Sequence, residues 1–429
     1  MSHLQFRTLT LLAILSAACT VCAQQPAGPA TQFQLHDGDI IVFYGDSITE
    51  QKLYTSDIEN YVLTRFPARH IRFINSGVGG DKVDGGWAGS IDLRLNRDVF
   101  AYHPTMITLM LGMNDGYYRP FDPGIEQTYE DGYRHIVERI QAELPQATLT
   151  LLKPSPYDDV TRAPDPAPGY NTTMLHFGDF VGKLADERHA LTADLNRPVV
   201  DALTAANAAD PVMSGTLVRD RVHPGAGIHW LMAEAVLKSW NATAVVTSAK
   251  IDALHAKVVE VLNADVTQLQ RTKGGLTWLQ TDHALPLPFP PAATDPFVAL
   301  VLRVSDVTQA LNQEVLRVDG LADGSYELQI DEHPLSKFTA AELAAGVNLA
   351  TLDTPMLVQS RLVAMDTSER NEIEGTRFEL AYDARDAKVQ ETVKKLDSAI
   401  ESAVERQRKD AQPVPHHYSL LRETTVAPK

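Results

Sequence analysis

Short apolar runs alternate with longer amphipathic stretches between residues 39 and 240. The runs Ile40–Tyr44, Ile71–Asn75, Met106–Leu111, Thr148–Leu152 and Pro198–Val200 predict strands. Stretches near 51–66, 87–100, 125–144, 173–193 and 226–240 repeat apolar residues at three- and four-residue intervals and predict helices. Strands that are apolar almost throughout need cover on both faces, which a parallel sheet between two helical layers provides. Right-handed crossovers then make a doubly wound, three-layer α/β fold the expected architecture. The proline-rich stretch 153–171 follows the fourth predicted strand. It lies at the sheet end where ligands bind, either as a substrate-side loop or as a plain surface excursion.

Beyond residue 245 the pattern changes. Ile251, Leu254, Val258, Leu262, Val266 and Leu269 recur at helical spacing and predict a helix, which the proline-rich segment 285–296 terminates. "EVLRVDG" and "SYELQID" predict a hairpin across Gly320–Gly324. Val389, Val393, Leu396, Ile400 and Val404 share one face of a long helix. The tail from Gln412 to Lys429 is expected to fray. The C-terminal part, 246–429, reads as an α+β module or a large elaboration whose role is not legible.

Composition adds limits. The formal charge of −17 argues against a nucleic-acid or anionic-membrane binder. The N-terminus carries one cation, Arg7, an apolar stretch from Leu9 to Ala18, and small residues ending Val21-Cys22-Ala23. That layout predicts a secretory signal peptide over 1–23, too short to be a transmembrane segment, and an exported, periplasmic or secreted protein. Cys19 and Cys22 are the only cysteines and fall inside this leader, so the rest of the chain has no thiol or disulfide chemistry. The alternative is lipoprotein processing, with Cys19 as the anchored residue.

The chemistry-bearing residues sit at the ends of the predicted strands. Ser47 follows the first strand in Gly45-Asp46-Ser47; Gly80 lies in "NSGVGGDKV" after the second; Asn114 lies in "LGMND" after the third. Further on, "RDRVHPG" places Asp220 three residues before His223 and opens a helix at Pro224-Gly225. A serine hydroxyl needs an imidazole base, a group to orient that base, and donors for the oxyanion. Each fragment alone has a plainer reading: Ser or Asp as a helix cap, Gly in a turn, Asn in an Asx turn, His as a structural residue. Together and in this order they point to nucleophilic catalysis.

The blocks "YGDSITE", "NSGVGGDK", "LGMND" and "DRVHPG" resemble those of the SGNH hydrolases, the wider relatives of the GDSL esterases, over residues 39–240. Ile48 replaces the leucine of the GDSL name. The resemblance implies a flavodoxin-like fold over 24–245 and hydrolysis of esters, often acetyl or other short acyl esters, without a cofactor or metal. It implies Ser47 as nucleophile, His223 as base and Asp220 as its orienting partner. The oxyanion hole would be the Ser47 and Gly80 N–H groups with the Asn114 amide.

Rival readings are fewer. An α/β-hydrolase elbow would need glycine where Thr49 stands, and no H-E-x-x-H motif suggests a zinc hydrolase. Asp46, Asp81, Asp115 and Asp220 could suggest a divalent site, but acids beside turns are more simply caps and turn-makers. A non-catalytic carbohydrate-binding or scaffold protein would leave the full residue set without purpose. Among esters, an acylated carbohydrate is the expected substrate, with lipase, lysophospholipase or thioesterase activity as the alternative. Asp46, Tyr117 and Tyr118 are candidate substrate contacts. Trp87, Trp230 and Tyr157 are further aromatics that could stack on sugars or simply pack in the core.

Overall fold

Five strands form the central sheet of the computed structural model: β1 (Ile40–Gly45), β2 (Arg72–Gly77), β3 (Met106–Met110), β4 (Thr148–Lys153) and β5 (Leu191–Asp194). Their order is β2-β1-β3-β4-β5, every pair parallel. The structure describes residues 32–290, 295–382 and 387–423. The expected leader, with Cys19 and Cys22, lies outside the described residues.

Helices connect these strands and cover both faces: α1 (Ser47–Glu50), α2 (Leu53–Arg65), α3 (Ile91–Asp98), α4 (Pro123–Glu143), α5 (Asn171–Arg188), α6 (Arg197–Ala209) and α7 (Ala226–Ser239). Residues 41–45 of β1 and all of β3 are buried, as strands sandwiched between helical layers must be. This is the expected flavodoxin-like α/β fold. Its strand order reverses at β1, so a crevice opens at the carboxyl ends of β1, β2 and β3.

One strand is displaced from its expected place. Pro198–Val200 is not a strand but the first turn of α6, and the edge strand is Leu191–Asp194. Proline lacks an N–H and fits a helix's first turn. The Asp194 carboxylate accepts from the N–H groups of Asn196 and Arg197, which ends the strand and starts the helix.

The C-terminal part is sheet-rich. The helix expected over 251–269 is replaced by antiparallel strands β6 (Val245–Asp252), β7 (Lys257–Leu262) and β8 (Ala264–Thr272), followed by β9 (Gly275–Asp282). The Asp252 carboxylate accepts from the N–H groups of Leu254 and His255, building a turn. Such turns interrupt strands rich in Val and mimic a helical repeat; β9 shows the true alternation of buried and half-buried positions. β10 (Gln313–Asp319) and β11 (Ser325–Ile330) do not form the expected hairpin. β11 pairs with β12 (His333–Thr339), whereas β10 pairs with β6 and with β13 (Val347–Asn348), and β14 (Pro415–Arg422) lies on the other side of β11. The two sheets share a core containing Leu316, Val318, Leu328 and Leu420, which burying both strands separately serves better than pairing them. Over Pro415–Arg422 the strand β14 also corrects the expectation of a frayed tail, since Tyr418 and Leu420 are buried and the strand lies between β9 and β11; residues 424–429 lie outside the described residues.

Two long helices, α8 (Pro355–Tyr382) and α9 (Ala387–Asp410), form a hairpin against α2. Arg370 on α8 makes a bidentate pair with Glu59, at 2.6 Å to each oxygen, and Gln407 on α9 donates to the same carboxylate at 2.9 Å. Thr367 donates to Asn60 and Asn371 to Ser56. Residues from Phe33 onward form one compact unit.

Candidate active site

Ser47 is the first residue of α1, and the cap is its neighbour. The Asp46 carboxylate accepts from the Ile48 N–H at 3.0 Å. That settles the ambiguity of the Gly-Asp-Ser turn: the aspartate satisfies the helix end and leaves the serine hydroxyl unspent. Ser47 Oγ lies 2.8 Å from His223 Nε2, and His223 Nδ1 lies 2.6 Å from Asp220 Oδ2. The other Asp220 oxygen accepts from the N–H groups of Val222 and His223, at 3.0 and 2.8 Å. Partial burial pushes the Asp220 carboxyl up, but these donors and the imidazole outweigh it and hold it below its ordinary range.

The second and third blocks meet the first through the backbone. Val78 N–H donates to the Gly45 carbonyl at 3.0 Å, and Asn75 Nδ2 donates to the Thr49 carbonyl at 2.7 Å. Gly80 has φ +79, a left-handed conformation that favours glycine, with open space where a Cβ would stand. Gly79, which the sequence did not single out, brings the backbone against α1: a Cβ there would come within 2.9 Å of the Glu50 carboxylate and 3.9 Å of Ser47 Cβ.

Asn114 Nδ2 donates to the Asp81 carbonyl at 3.1 Å, and its Oδ1 accepts from Tyr118 Oη at 3.0 Å. The amide is thus oriented at both ends. Burial pushes the Tyr118 phenol up to about 12, so it stays a donor at ordinary pH. Tyr117 and Tyr118 have φ of 53 and 54, strained for non-glycine residues, and are 51% and 42% exposed. Tyr118 lies 5.1 Å from Tyr170 and 6.3 Å from Tyr157 between ring centroids.

The neighbouring acids serve the frame. Asp46, expected among the substrate contacts, is instead 1% exposed and spent on its cap. Asp115 accepts from the Val83 N–H at 2.9 Å. Burial pushes both carboxyls up to about 7. Asp81 pairs with the fully buried Arg94 at 3.1 Å, and burial lifts its carboxyl to about 6 against that guanidinium. Among the described residues, no group of three or more His, Cys, Asp or Glu could hold a metal ion.

A second histidine had no sequence signal. His229, on α7, is fully buried; its Nδ1 accepts from the Tyr54 N–H at 3.2 Å and its Nε2 faces the Pro224 carbonyl at 3.1 Å. Burial pushes it down to about 3, so it is a neutral strut between α2 and the residue after His223. Of the tryptophans, Trp230 is buried against Phe289, whereas Trp87 is 72% exposed with its indole donating to the Gly79 carbonyl at 2.9 Å.

Residues 43–231 match the GDSL-like lipase/acylhydrolase family. An acetylxylan esterase from Geobacillus stearothermophilus is 24% identical over 223 residues, 48% of this chain and 95% of that one. The solved structure of that bacterium's esterase aligns over 48% of this chain and 96% of its own, with 24% identity and a TM-score of 0.38. A solved structure of a gut microbial diltiazem-metabolizing enzyme superposes with a TM-score of 0.79 at 25% identity, covering 91% of this chain and 98% of its own. That likeness therefore extends through the C-terminal sheets. Residues 43–231 thus form a GDSL-like lipase/acylhydrolase domain, and the protein is an ester-hydrolysing serine hydrolase.

Proposed function

We propose that the protein is an exported esterase that removes short acyl groups, chiefly acetyl, from carbohydrates through an acyl-enzyme on Ser47. The observation that carries the catalytic assignment is the line from Ser47 Oγ to His223 at 2.8 Å and on to Asp220 at 2.6 Å. His223 Nε2 takes the hydroxyl proton as Ser47 attacks the ester carbonyl, then returns a proton to the departing alcohol. Water, deprotonated by the same imidazole, releases the acid. Asp220 fixes the tautomer with the proton on Nδ1 and stabilises the imidazolium.

The oxyanion is received by the N–H groups of Ser47 and Gly80 and by the Asn114 amide. Asn114 commits one amide hydrogen to the Asp81 carbonyl and keeps the second for substrate. The acetyl-carbohydrate assignment is supported by the similarity to an acetylxylan esterase and by Trp87, Tyr117 and Tyr118, exposed rings close to the four blocks. The signal-peptide pattern of residues 1–23 supports export.

A fluorophosphonate probe tests the nucleophile: labelling of the wild type and its loss in Ser47→Ala is expected, and no labelling of the folded wild type refutes it. Hydrolysis of acetylated xylan against long-chain p-nitrophenyl esters tests the substrate. A preference for the long chains would overturn the carbohydrate assignment.

A further inference from the structure

A groove runs along the loop 50–53, one turn past Ser47, and the C-terminal part of the chain builds its far side. Three adjoining hollows of about 610, 610 and 560 Å³ compose it. The first lies between Glu50, Gly77 and Trp87 on one side and Arg377, Phe378 and Glu401 on the other. The second shares Glu50, Lys52, Gly375 and Glu379 with it. The third shares Gln51, Leu53 and Ala226 with the second, reaches Asp220 and His223, and is closed by Phe297 and Val298. The third hollow thus reaches the catalytic line, and the other two follow it along the same loop.

We propose that this groove holds the alcohol part of the substrate as an extended, polyhydroxylated chain, and that the α8–α9 hairpin is a substrate-binding wall. This rests on the esterase reading above. Each hollow lies within the range of about 300–1,000 Å³ usual for small-molecule sites, and their succession suits several sugar rings better than one small alcohol. The first hollow combines aromatic rings (Trp87, Tyr102, Phe378) with charged hydrogen-bonding groups (Glu50, Arg72, Glu401). Rings offer faces to the C–H side of a sugar, and carboxylates and guanidinium groups bind its hydroxyls.

The Trp87 ring is also held rather than loose, through its indole bond to the Gly79 carbonyl. The hairpin is fixed close by: Lys52 donates its ammonium to the Asn371 carbonyl, and Gly375 gives it room, since a Cβ there would stand 3.1 Å from the Lys52 nitrogen. Glycine in the middle of a long helix costs about 1 kcal/mol relative to alanine, and here it leaves the Lys52 ammonium its space.

Trp87→Ala and Phe378→Ala test the groove, with thermal unfolding to confirm that each variant folds. Each is compared with wild type for kcat/KM on an acetylated xylo-oligosaccharide and on p-nitrophenyl acetate. The ratio of the first to the second should fall tenfold or more, mainly through KM. A ratio within twofold of wild type for both variants overturns the proposal. Calorimetric binding of the same oligosaccharide to Ser47→Ala, with and without each substitution, needs no turnover. A tenfold weakening supports the groove, and absence of binding or of weakening refutes it. Failure of the wild type to hydrolyse either ester would defeat the esterase reading alone.

Discussion

Replacing Asn114 by alanine separates catalysis from folding. In the resting enzyme the change removes two neutral hydrogen bonds, to the Asp81 carbonyl at 3.1 Å and from Tyr118 at 3.0 Å. Each is worth about 0.5–1.5 kcal/mol, and water can reach this half-buried site, so the loss of stability should stay below about 2 kcal/mol. A domain with the usual 5–15 kcal/mol tolerates that. In the transition state the variant loses one of three oxyanion donors, which costs about 10²–10³ in rate, or roughly 2.7–4 kcal/mol. Because the interaction strengthens as charge develops, kcat should fall while KM on p-nitrophenyl acetate moves little. Steady-state kinetics beside urea unfolding read both quantities. A kcat within threefold of wild type in a folded variant would refute the role given to Asn114.

Three further outcomes are expected. Asp220→Asn should keep the fold and lower kcat by up to about 10⁴-fold, the size of the corresponding change in other serine triads; a loss under tenfold would show that His223 does not depend on that carboxylate. Arg370→Met leaves the Glu59 carboxylate buried with Gln407 as its remaining side-chain donor, and should cost about 3–5 kcal/mol in urea unfolding. Adding Glu59→Gln should recover part of the loss, and equal costs for the single and double variants would argue against the pair. His229 binds its proton near pH 3 when folded, well below the ordinary histidine value, so the unfolded chain protonates first. Its contribution is therefore complete above about pH 6.5 and lost as pH falls towards 3. Between about pH 4 and 6, His229→Gln should reduce the slope of unfolding free energy by about 1.4 kcal/mol per pH unit. Identical slopes would refute the neutral-strut reading.

Much of the site was legible because its signals are local. Continuous apolar runs mark the buried parallel strands, and Gly45-Asp46-Ser47, Gly80, Asn114 and Asp220-x-x-His223 stand just past them or open a helix. Periodicity misled after residue 245, where turns such as Asp252–His255 set strand residues at helical spacing. Nor could two successive strand patterns reveal that β10 and β11 enter different sheets, since pairing depends on which core each buries. Local pattern thus determined the central fold and marked the residues proposed to carry an ester hydrolysis. Only the tertiary structure decided that Asp46 caps so that Ser47 stays available, that His229 braces the loop after His223, and that α8 and α9 stand across a hollow from Glu50, Gly77 and Trp87. Those assignments join residues far apart in sequence, as Glu59 and Arg370 are, and burial and hydrogen bonding between distant segments leave no short-range trace.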